Sequence, residues 1–342
     1  MGKTFLSEPE FVNALSGAIA GALTATVVCP LDVLKTRLQL QRLCEPTGIL
    51  GGLSQIVKTE GTVGLYKGLG PTLAALLPNW AVYFTVYGKL KSVLMNEEEA
   101  NQKPKPLIHL SAAAVAGAAT MLVTNPFWVV KTRMQTQDLR LTIGGRAVTP
   151  RHPYKSTFDA LKRIWIEERF AGLYSGLAPS LFGVFHVGIQ FPLYESLKSA
   201  TAERNHNGNE DELNAIELVA ASAAAKMVAS FATYPHEVVR SYMHVSGLGP
   251  LGGMLDTVKM LWKEDGLRSL YRGCATNLLR TTPAAAVTFT SFEMIARTIR
   301  GLAEDIESAA ATAVGPSAWV RLEAGREEGA EIGKNQSAVG GR

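Results

Sequence analysis

The residues of this sequence best placed to do chemistry are charged side chains set into apolar segments. Two phrases, PLDVLK at 30–35 and PHEVVR at 235–240, each place an acid two residues after a proline and a base three residues after that acid. A third phrase, PFWVVK at 126–131, keeps the proline and the base but has Trp128 where the acid would stand. Charges in an apolar segment are costly unless they are paired or hydrated, so this spacing predicts ion pairs.

The spacing leaves two ways to form these pairs. An acid and a base at i and i+3 share one face of a helix and can pair within it. Alternatively, each acid can pair with the base of a different phrase, around an axis that relates the three copies. The second arrangement would close one end of a central cavity. It would act as a gate, because bound substrate could supply the free energy that opens it.

A second phrase also occurs three times, which indicates a chain built from repeats. Its copies are EGTVGLYKG at 60–68, ERFAGLYSG at 168–176 and DGLRSLYRG at 265–273. Each copy follows one of the proline phrases, and the greater distance in the middle copy indicates an insertion at residues 138–153. We predict three repeats and a flexible C-terminal tail, with the boundaries 1–102, 103–208, 209–300 and 301–342.

The composition indicates a helical membrane protein. Hydrophobic residues make up 47% of the 342 residues and charged residues only 19%, below the roughly 25% that is usual for soluble domains. Six segments of about the length of a membrane-spanning helix are poor in charge. They are 11–31, 69–88, 107–130, 173–194, 213–235 and 274–292. Their scattered Gly, Pro, Ser, Thr and Asn residues favour helices packed around a hydrated interior.

Each repeat also has a polar segment with helical periodicity between its two charge-poor segments. Apolar residues recur there at steps of three and four, as in Val258, Leu261 and Trp262 of the third repeat. We predict three short helices that lie along the membrane surface with their polar faces outward. The predicted fold class is therefore an all-α membrane protein, with six transmembrane helices in three pseudo-threefold repeats plus three short surface helices.

Composition and motifs also argue against several other functions. The net charge of +4 is not gathered into a basic run, so no nucleic-acid partner is expected. Cys29, Cys44 and Cys274 lack metal-ligand spacing, so no metal site is predicted. The sequence offers neither a set of nucleophile, base and orienting residue nor a Gly-rich phosphate loop after a strand. We therefore predict that the protein is not an enzyme and has no cofactor.

The triple Px[DE]xx[KR] phrase, each copy followed by a [DE]GxxxLYxG-like phrase, resembles the mitochondrial carrier family over about residues 10–298. The resemblance implies six tilted transmembrane helices around a central substrate site and three surface helices on the matrix side. It also implies transport by alternating access and a protein that works as a monomer.

In that family the acid of one repeat pairs with the base of the next to form a matrix gate. The pairs implied here are Asp32 with Lys131 and Glu237 with Lys35, while Trp128 would leave Arg240 without an acid. Gln39 and Gln135 match the glutamines that brace such pairs, and His244 stands where the third would be. After TYPHEVVR the chain continues SYMHVSG, where relatives usually keep a further base and glutamine, which weakens the expected brace.

The cytoplasmic gate implied by the resemblance is less complete. Glu195 and Lys198 fit its [FY][DE]xx[KR] motif, whereas Lys91 follows Gly88 where an acid is expected. Glu293 has no base three residues later. The gate residues predicted are therefore Lys91, Glu195, Lys198 and Glu293, and the hypothesis is a weak gate that opens quickly.

Two cations lie deep within the apolar segments. Arg280 is seven residues after Gly273, about 10 Å into the span, and an arginine at that depth is expected to face water and an anion. Lys226 is nine residues before Pro235, about 13 Å from it, and so lies near the same depth. Two cations at one level suit a diphosphate, which arginine binds as a fork and lysine as a point charge.

The resemblance implies further substrate contacts at related positions of the other repeats. The predicted substrate-binding residues are Ala75, Asn79, Trp80, Gly183, Val184, His186, Lys226 and Arg280. Gly183 with Val184 leaves room for a flat group such as adenine. Trp80 could stack on a base or lie in a lipid-interface belt. His186 is expected to be a hydrogen-bonding wall residue.

Four segments resemble the branch of this family that carries NAD⁺, pyrimidine nucleotides, folate and flavin nucleotides, and they most resemble its NAD⁺ carriers. They are NPFWVVKTRMQTQ, LLPNWAVYF, HVGIQFPLYE and GCATNLLRTTPAAAVTFTSFE. We therefore predict a carrier that moves NAD⁺ across an organelle inner membrane by alternating access, in exchange for an adenine nucleotide such as ADP or AMP. The alternative within the family is a pyrimidine nucleotide or folate/FAD carrier. A proton or anion leak protein is a second class, and it would conduct independently of Arg280.

The N-terminal MGKTFLSEPEF has neither a secretory apolar core nor an Arg/Ser-rich transit segment. The family implies the mitochondrial inner membrane, with chloroplast and peroxisomal membranes as the alternatives. The partners expected are the nucleotide substrate and the lipid bilayer, with cardiolipin at the matrix-side helices.

Overall fold

The computed structural model describes residues 9–40, 48–94, 106–143, 146–148, 150, 152–183, 185–205, 208–209, 213–249 and 253–313. Its helices, in chain order, are α1 (Pro9–Leu40), α2 (Ile49–Glu60), α3 (Leu69–Leu94), α4 (Pro106–Thr136), α5 (Thr157–Leu173), α6 (Leu177–Phe182), α7 (Phe185–Asn205), α8 (Ala215–Ser246), α9 (Met254–Asp265), α10 (Leu267–Leu270) and α11 (Cys274–Ala313). A 3₁₀ turn covers Thr62–Tyr66. Two strands of two residues, β1 (Thr142–Ile143) and β2 (Arg146–Ala147), pair antiparallel within the predicted insertion. The all-α fold class predicted from the sequence is confirmed.

The chain divides into two compact units. The larger unit is Gly21–Thr288 and contains every contact discussed below. The described residues of the smaller unit, within Met1–Ala20 and Phe289–Arg342, belong to the start of α1 and the end of α11.

Six of the described helices are at least 21 residues long, and each contains an internal proline. The prolines are Pro30, Pro78, Pro126, Pro192, Pro235 and Pro283. Proline removes one backbone hydrogen bond and its ring crowds the preceding turn, yet all six helices continue past it. Four described segments are long and apolar enough to cross a membrane: Leu15–Leu40, Ser111–Thr136, Leu177–Asn205 and Ile216–Ser246.

The three surface helices α2, α5 and α9 each pack on the helix that carries a proline phrase. Ile56, Ile164 and Leu261 stand at equivalent positions of these helices and are 5%, 1% and 0% exposed. They belong to three separate hydrophobic clusters that include residues of α1, α4 and α8 respectively. Burying a side chain of this size contributes roughly 1.5–3 kcal/mol, so one apolar anchor positions each surface helix.

Glycine at the end of each LYxG phrase connects one repeat to the next. Gly68, Gly176 and Gly273 all have positive φ, between 74° and 90°. A Cβ on any of them would come within 3.1–3.2 Å of a backbone carbonyl in another repeat. The carbonyls belong to Lys131, Arg240 and Lys35 respectively. Only glycine combines this backbone conformation with so close an approach, and the three equivalent contacts give the repeats their pseudo-threefold relation.

The last helix extends beyond the predicted repeat boundary at residue 300. α11 continues to Ala313, because the sequence GLAEDIESAAATA after Arg300 is rich in residues of high helix propensity. The remainder of the predicted flexible tail, 314–342, lies outside the described residues.

Candidate functional site

Two ion pairs join α1 to other helices at the level of the proline phrases. Lys131 Nζ on α4 lies 2.5 Å from Asp32 Oδ2. Lys35 Nζ lies 2.6 Å from Glu237 Oε2 on α8. The four side chains are only 11–32% exposed, and attraction between charges is stronger away from water. Both pairs connect different repeats, which is the second of the two arrangements that the spacing leaves open.

Trp128 occupies the third position of this ring of contacts. Lys131 Nζ lies 5.0 Å from the centre of its ring system, and the Arg240 guanidinium carbon lies 5.8 Å from it. A cation at this distance from an aromatic face is attracted by about 0.5–2 kcal/mol, depending on solvation. The indole therefore contacts both bases without supplying a negative charge.

Arg240 also contacts His244, which stands where the family pattern has a third glutamine. Arg240 Nε donates to His244 Nε2 at 3.3 Å. His244 Nδ1 lies 3.0 Å from Thr132 Oγ1, and that hydroxyl donates its own proton to the Trp128 carbonyl. Nδ1 must then carry the hydrogen and Nε2 must accept, so the network assigns the tautomer. A neutral imidazole thus accepts from Arg240, whose partner in the family pattern would be the acid that Trp128 replaces.

Gln135 contacts the first ion pair directly. Its Nε2 donates to Asp32 Oδ2 at 3.2 Å, and its Oε1 accepts from Thr36 Oγ1 at 2.7 Å. The carboxylate of Asp32 is therefore held by a lysine and an amide at the same oxygen.

Gln39 reaches the neighbourhood of the second ion pair through Tyr234. Its Nε2 donates to the Tyr234 hydroxyl at 3.0 Å, and its Oε1 accepts from Ser241 at 2.7 Å. The Tyr234 ring centre lies 5.9 Å from Lys35 Nζ. Tyr234 is not among the residues predicted from the sequence, and the signal that could identify it is its place directly before Pro235.

Arg280 is engaged by the gate instead of standing free in a cavity. Its Nη1 lies 2.9 Å from Asp32 Oδ1, and its Nη2 donates to Asn277 Oδ1 at 3.3 Å. Its Nε is buried and has no hydrogen-bond partner among the described residues. Asp32 thus shares its two oxygens between Lys131 and Arg280, a link between the predicted substrate arginine and the predicted gate acid that the spacing does not reveal.

Lys226 lies on the face of α8 that carries the gate. An α-helix turns 100° per residue, which places Lys226 within about 40° of Thr233, Glu237 and Arg240 around the helix axis. Its side chain is exposed. Lys226 forms no ion pair with any other described residue. This position fits a cation that is free to meet a ligand.

The predicted contacts on α3 do not all face one way. Ala75 is 1% exposed, so a ligand does not reach it in this state, and Asn79 is half-buried. Trp80 is 51% exposed and stacks on Phe84 with 5.6 Å between ring centres. Together with Leu73 and Leu77 these rings form an exposed apolar stripe. The stripe favours the lipid-facing alternative for Trp80.

The space beside Gly183 where a flat group is predicted to fit, called the Gly183 slot below, is bordered by a residue that was not predicted from the sequence. A Cβ on Gly183 would lie 3.2 Å from His236 Nε2, the nearest side-chain atom. His186 Nδ1 lies 3.2 Å from Thr233 Oγ1. Val184, the other predicted member of the slot, lies outside the described residues. The signal for His236 is its place between Pro235 and the gate acid, where its ring shares the level of the gate.

The structure describes only part of the predicted cytoplasmic gate. Lys91 on α3 is half-buried and Glu195 on α7 is exposed, and these two described residues form no ion pair with each other. Lys198 lies one turn after Glu195 on the same helix. Glu293 lies on α11 in the smaller unit, and its side chain is outside what the structure describes.

A second set of ion pairs joins each surface helix to its repeat. Arg37 forms two hydrogen bonds with Glu60 at 2.5 and 2.9 Å, and Arg133 forms two with Glu168 at 2.5 and 2.7 Å. Both arginines stand two residues after a gate lysine, which is the sequence signal that could have identified them. In the third repeat Tyr242 takes that place.

The acid of the third surface helix is bound by a base from a different position. Arg272 contacts both Asp265 and Glu264. Lys67, its equivalent in the first repeat, contacts Glu60 at 2.7 Å and also Asp138 of the second repeat. Each surface helix is therefore held by at least one base, but the base comes from different positions in the three repeats.

The fold and these contacts define a helical membrane transporter built from three repeats with a gate of charged residues between them. The family described as Mitochondrial carrier protein matches residues 7–98, 102–205 and 211–302. The chain belongs to the mitochondrial carrier family, and the resemblance stated from its motifs is confirmed.

Three relatives are similar to the chain over most of its length. Nicotinamide adenine dinucleotide transporter 1, chloroplastic, of Arabidopsis thaliana is 50% identical over 85% of this chain and 93% of its own length. The mitochondrial transporter 2 of the same plant is 48% identical over 84% of this chain and 79% of its own. Mitochondrial nicotinamide adenine dinucleotide transporter 1 of Saccharomyces cerevisiae is 43% identical over 82% and 75%.

Proposed function

We propose that this protein carries NAD⁺ across an organelle inner membrane by alternating access, in exchange for an adenine nucleotide such as ADP or AMP. The observation that supports NAD⁺ as the substrate is a sequence identity of 43–50% to three carriers named for this dinucleotide, over 82–85% of the chain. The membrane is the mitochondrial inner membrane, with the chloroplast membrane as the alternative. The substrate is released without chemical change.

The contacts support a state closed towards the matrix. Two inter-repeat ion pairs and the Trp128 contacts hold the matrix side together. Opening towards the matrix therefore requires breaking these inter-repeat pairs.

Arg280 and Lys226 are the proposed ligands of the pyrophosphate. In the present state Arg280 Nη1 is bound to Asp32, so phosphate oxygens must compete with a carboxylate for the same guanidinium. A bound substrate that wins this competition leaves Asp32 with fewer partners and weakens the matrix gate. Substrate binding and gate opening are then coupled, because each favours the same arrangement of Arg280.

The remaining contacts complete the proposal. The adenine ring occupies the space beside Gly183, and the protein works as a monomer in the bilayer, with cardiolipin at the matrix-side helices. The buried Arg280 Nε, which lacks a hydrogen-bond partner among the described residues, supports a ligand at this arginine, since an unsatisfied buried donor costs about 1–3 kcal/mol.

Uptake of labelled substrates into liposomes that contain the purified protein and internal ADP tests the function. We expect NAD⁺ to enter, and FAD, folate and pyrimidine triphosphates to enter far more slowly. Arg280→Ala should abolish uptake while the protein remains folded in detergent. Preference for a pyrimidine triphosphate would replace the proposed substrate and keep the fold. A conductance that persists in Arg280→Ala would instead identify a leak protein.

A further inference from the structure

Two histidines beside the Gly183 slot are anchored on the same residue of α8. His236 Nδ1 donates to the carbonyl oxygen of Thr233. His186 Nδ1 on α7 lies 3.2 Å from the Thr233 hydroxyl oxygen. That hydroxyl donates its own proton to the Ala229 carbonyl at 2.8 Å, so its oxygen can only accept from His186.

These hydrogen bonds assign the tautomer of both rings. A carbonyl oxygen and an already-donating hydroxyl both require N–H at the Nδ1 that faces them. The neutral forms of His186 and His236 therefore keep Nε2 as a bare acceptor. Neither Nε2 atom has a hydrogen-bond partner among the described residues, and both side chains are half-buried.

The position of Gly183 keeps one of these acceptors accessible. Gly183 has ordinary helical backbone angles, φ −59° and ψ −21°, but a Cβ there would lie 2.9 Å from the Ser180 carbonyl oxygen, so a side chain is disfavoured at this position. A Cβ there would stand 3.2 Å from His236 Nε2. The absence of a side chain therefore leaves space directly beside an imidazole acceptor, at the position where the base is proposed to lie.

We propose that His186 and His236 read the exocyclic amino group of the adenine ring. An aromatic amino group has two N–H donors and matches two imidazole acceptors. An oxo group at the same ring position is an acceptor, and it would leave both Nε2 atoms facing another acceptor. The pair therefore selects amino-substituted bases over oxo-substituted ones. This inference rests on the proposed function, because it places the adenine of the carried nucleotide at Gly183.

The test compares NAD⁺ with nicotinamide hypoxanthine dinucleotide, in which the adenine amino group is replaced by an oxo group. With wild-type protein in liposomes we expect kcat/KM for NAD⁺ uptake to exceed that of the analogue by at least about tenfold, which corresponds to about 1.4 kcal/mol. A site built to bind an N–H group discriminates strongly against an analogue that lacks it. Equal uptake of the two dinucleotides by wild-type protein would overturn the proposal.

Variants of the histidines separate recognition from packing. His236→Leu and His186→Leu should each reduce the preference to within about twofold, whereas His236→Gln retains an acceptor oxygen and should keep part of it. His152→Leu, at an exposed histidine in the insertion, is the matched control and should keep the full preference. A wild-type preference that survives both leucine substitutions would also overturn the assignment.

The outcome for NAD⁺ itself distinguishes this inference from the proposed function. If NAD⁺ does not enter but pyrimidine nucleotides do, the proposed substrate is wrong, and CTP and UTP then provide the same comparison of amino and oxo groups. A preference for CTP that is lost in His236→Leu would support amino recognition by these histidines. Equal uptake of CTP and UTP would reject it.

Discussion

At the scale of single residues, Arg169 has a backbone conformation that belongs to glycine. Its φ is 59° and its ψ is −150°. The equivalent residues of the other two repeats are Gly61, with φ 73° and ψ −176°, and Gly266, with φ 58° and ψ −138°. This region is almost exclusive to glycine, and a residue with a Cβ is strained there by about 1–3 kcal/mol. The second repeat therefore stores strain where α5 bends.

Arg169→Gly should stabilise the protein. Glycine removes the strain, but its greater entropy in the unfolded chain destabilises the folded state by about 0.5–1 kcal/mol. We therefore expect a net gain in stability of about 1 kcal/mol. The measurement is thermal unfolding of the detergent-solubilised protein. Lys162→Gly, at an exposed position within the regular part of α5, is the control and should destabilise by about 1 kcal/mol. A lower melting temperature for Arg169→Gly would show that the arginine side chain contributes more than its backbone costs.

Trp128 supplies an uncharged third contact in the predicted matrix gate. Because its ring faces both Lys131 and Arg240, Trp128→Asp places a carboxylate where two cations already converge. A third ion pair should stabilise the closed matrix gate and slow turnover several-fold, since the closed state must break more contacts to open. The check is the initial rate of exchange in liposomes at saturating substrate.

The control for this prediction keeps an aromatic ring at the same place. Trp128→Phe retains an aromatic face and should leave turnover within about twofold of the wild type, since phenylalanine also attracts cations, though less strongly than tryptophan. An unchanged rate in Trp128→Asp would mean that opening of the matrix gate does not limit transport.

At the scale of elements, each surface helix is clamped to its repeat by a different combination of bases. Glu60 of α2 binds Arg37 and Lys67, and its pKa reports this clamp. Burial alone would raise the pKa of Glu60, but the hydrogen bonds from Arg37 and Lys67 outweigh burial and hold it at about 2. A carboxyl group whose pKa is lowered on folding stabilises the folded state above its unfolded pKa and loses that effect as the pH falls.

Glu60→Gln should therefore lower the melting temperature by a constant amount between pH 5 and pH 8. The difference from the wild type should shrink as the pH falls from about 4.5 towards 2, because Glu60 becomes protonated in both states. Glu167→Gln removes a carboxylate that is 59% exposed and is the control, for which no such difference is expected. A Glu60→Gln effect that persists unchanged at the lowest pH would contradict the clamp.

The sequence predicts the elements well where a pattern repeats and poorly where contacts depend on the third dimension. Periodicity and the LYxG phrase suffice for α2, α5 and α9, because Ile56, Ile164 and Leu261 recur at one offset from the phrase. The insertion at 138–153 is visible as extra length, but its short hairpin is not. α11 continues past the predicted repeat boundary at residue 300 to Ala313.

The candidate site is predictable in its charges but only partly in their partners. The proline phrases identify Asp32 and Lys131 and the LYxG phrase locates Arg280, yet nothing in the spacing places Asp32 between both bases. That contact depends on the rotation of α1 relative to α11, which follows from packing of the whole helix set. His236 is missed for a related reason, because its importance arises only when α8 lies beside Gly183.

At the scale of the whole molecule, the ion pair between Lys35 and Glu237 closes the ring by connecting the first repeat to the third, 202 residues apart. Reversing one charge, as in Lys35→Glu or Glu237→Lys, would place like charges about 3 Å apart. Such repulsion costs several kcal/mol, so uptake should fall at least tenfold in either single variant.

The double variant with both charges exchanged should recover much of this loss, because the attraction across the two repeats is restored. Recovery should be incomplete, since Lys35 also lies near Asp32 and Arg280, and a carboxylate there repels Asp32. Uptake and melting temperature should recover together if the pair closes the molecule in the resting state. A double variant no better than the worse single one would mean that Lys35 and Glu237 act separately, and that the three repeats are held together by the glycine and surface-helix contacts alone.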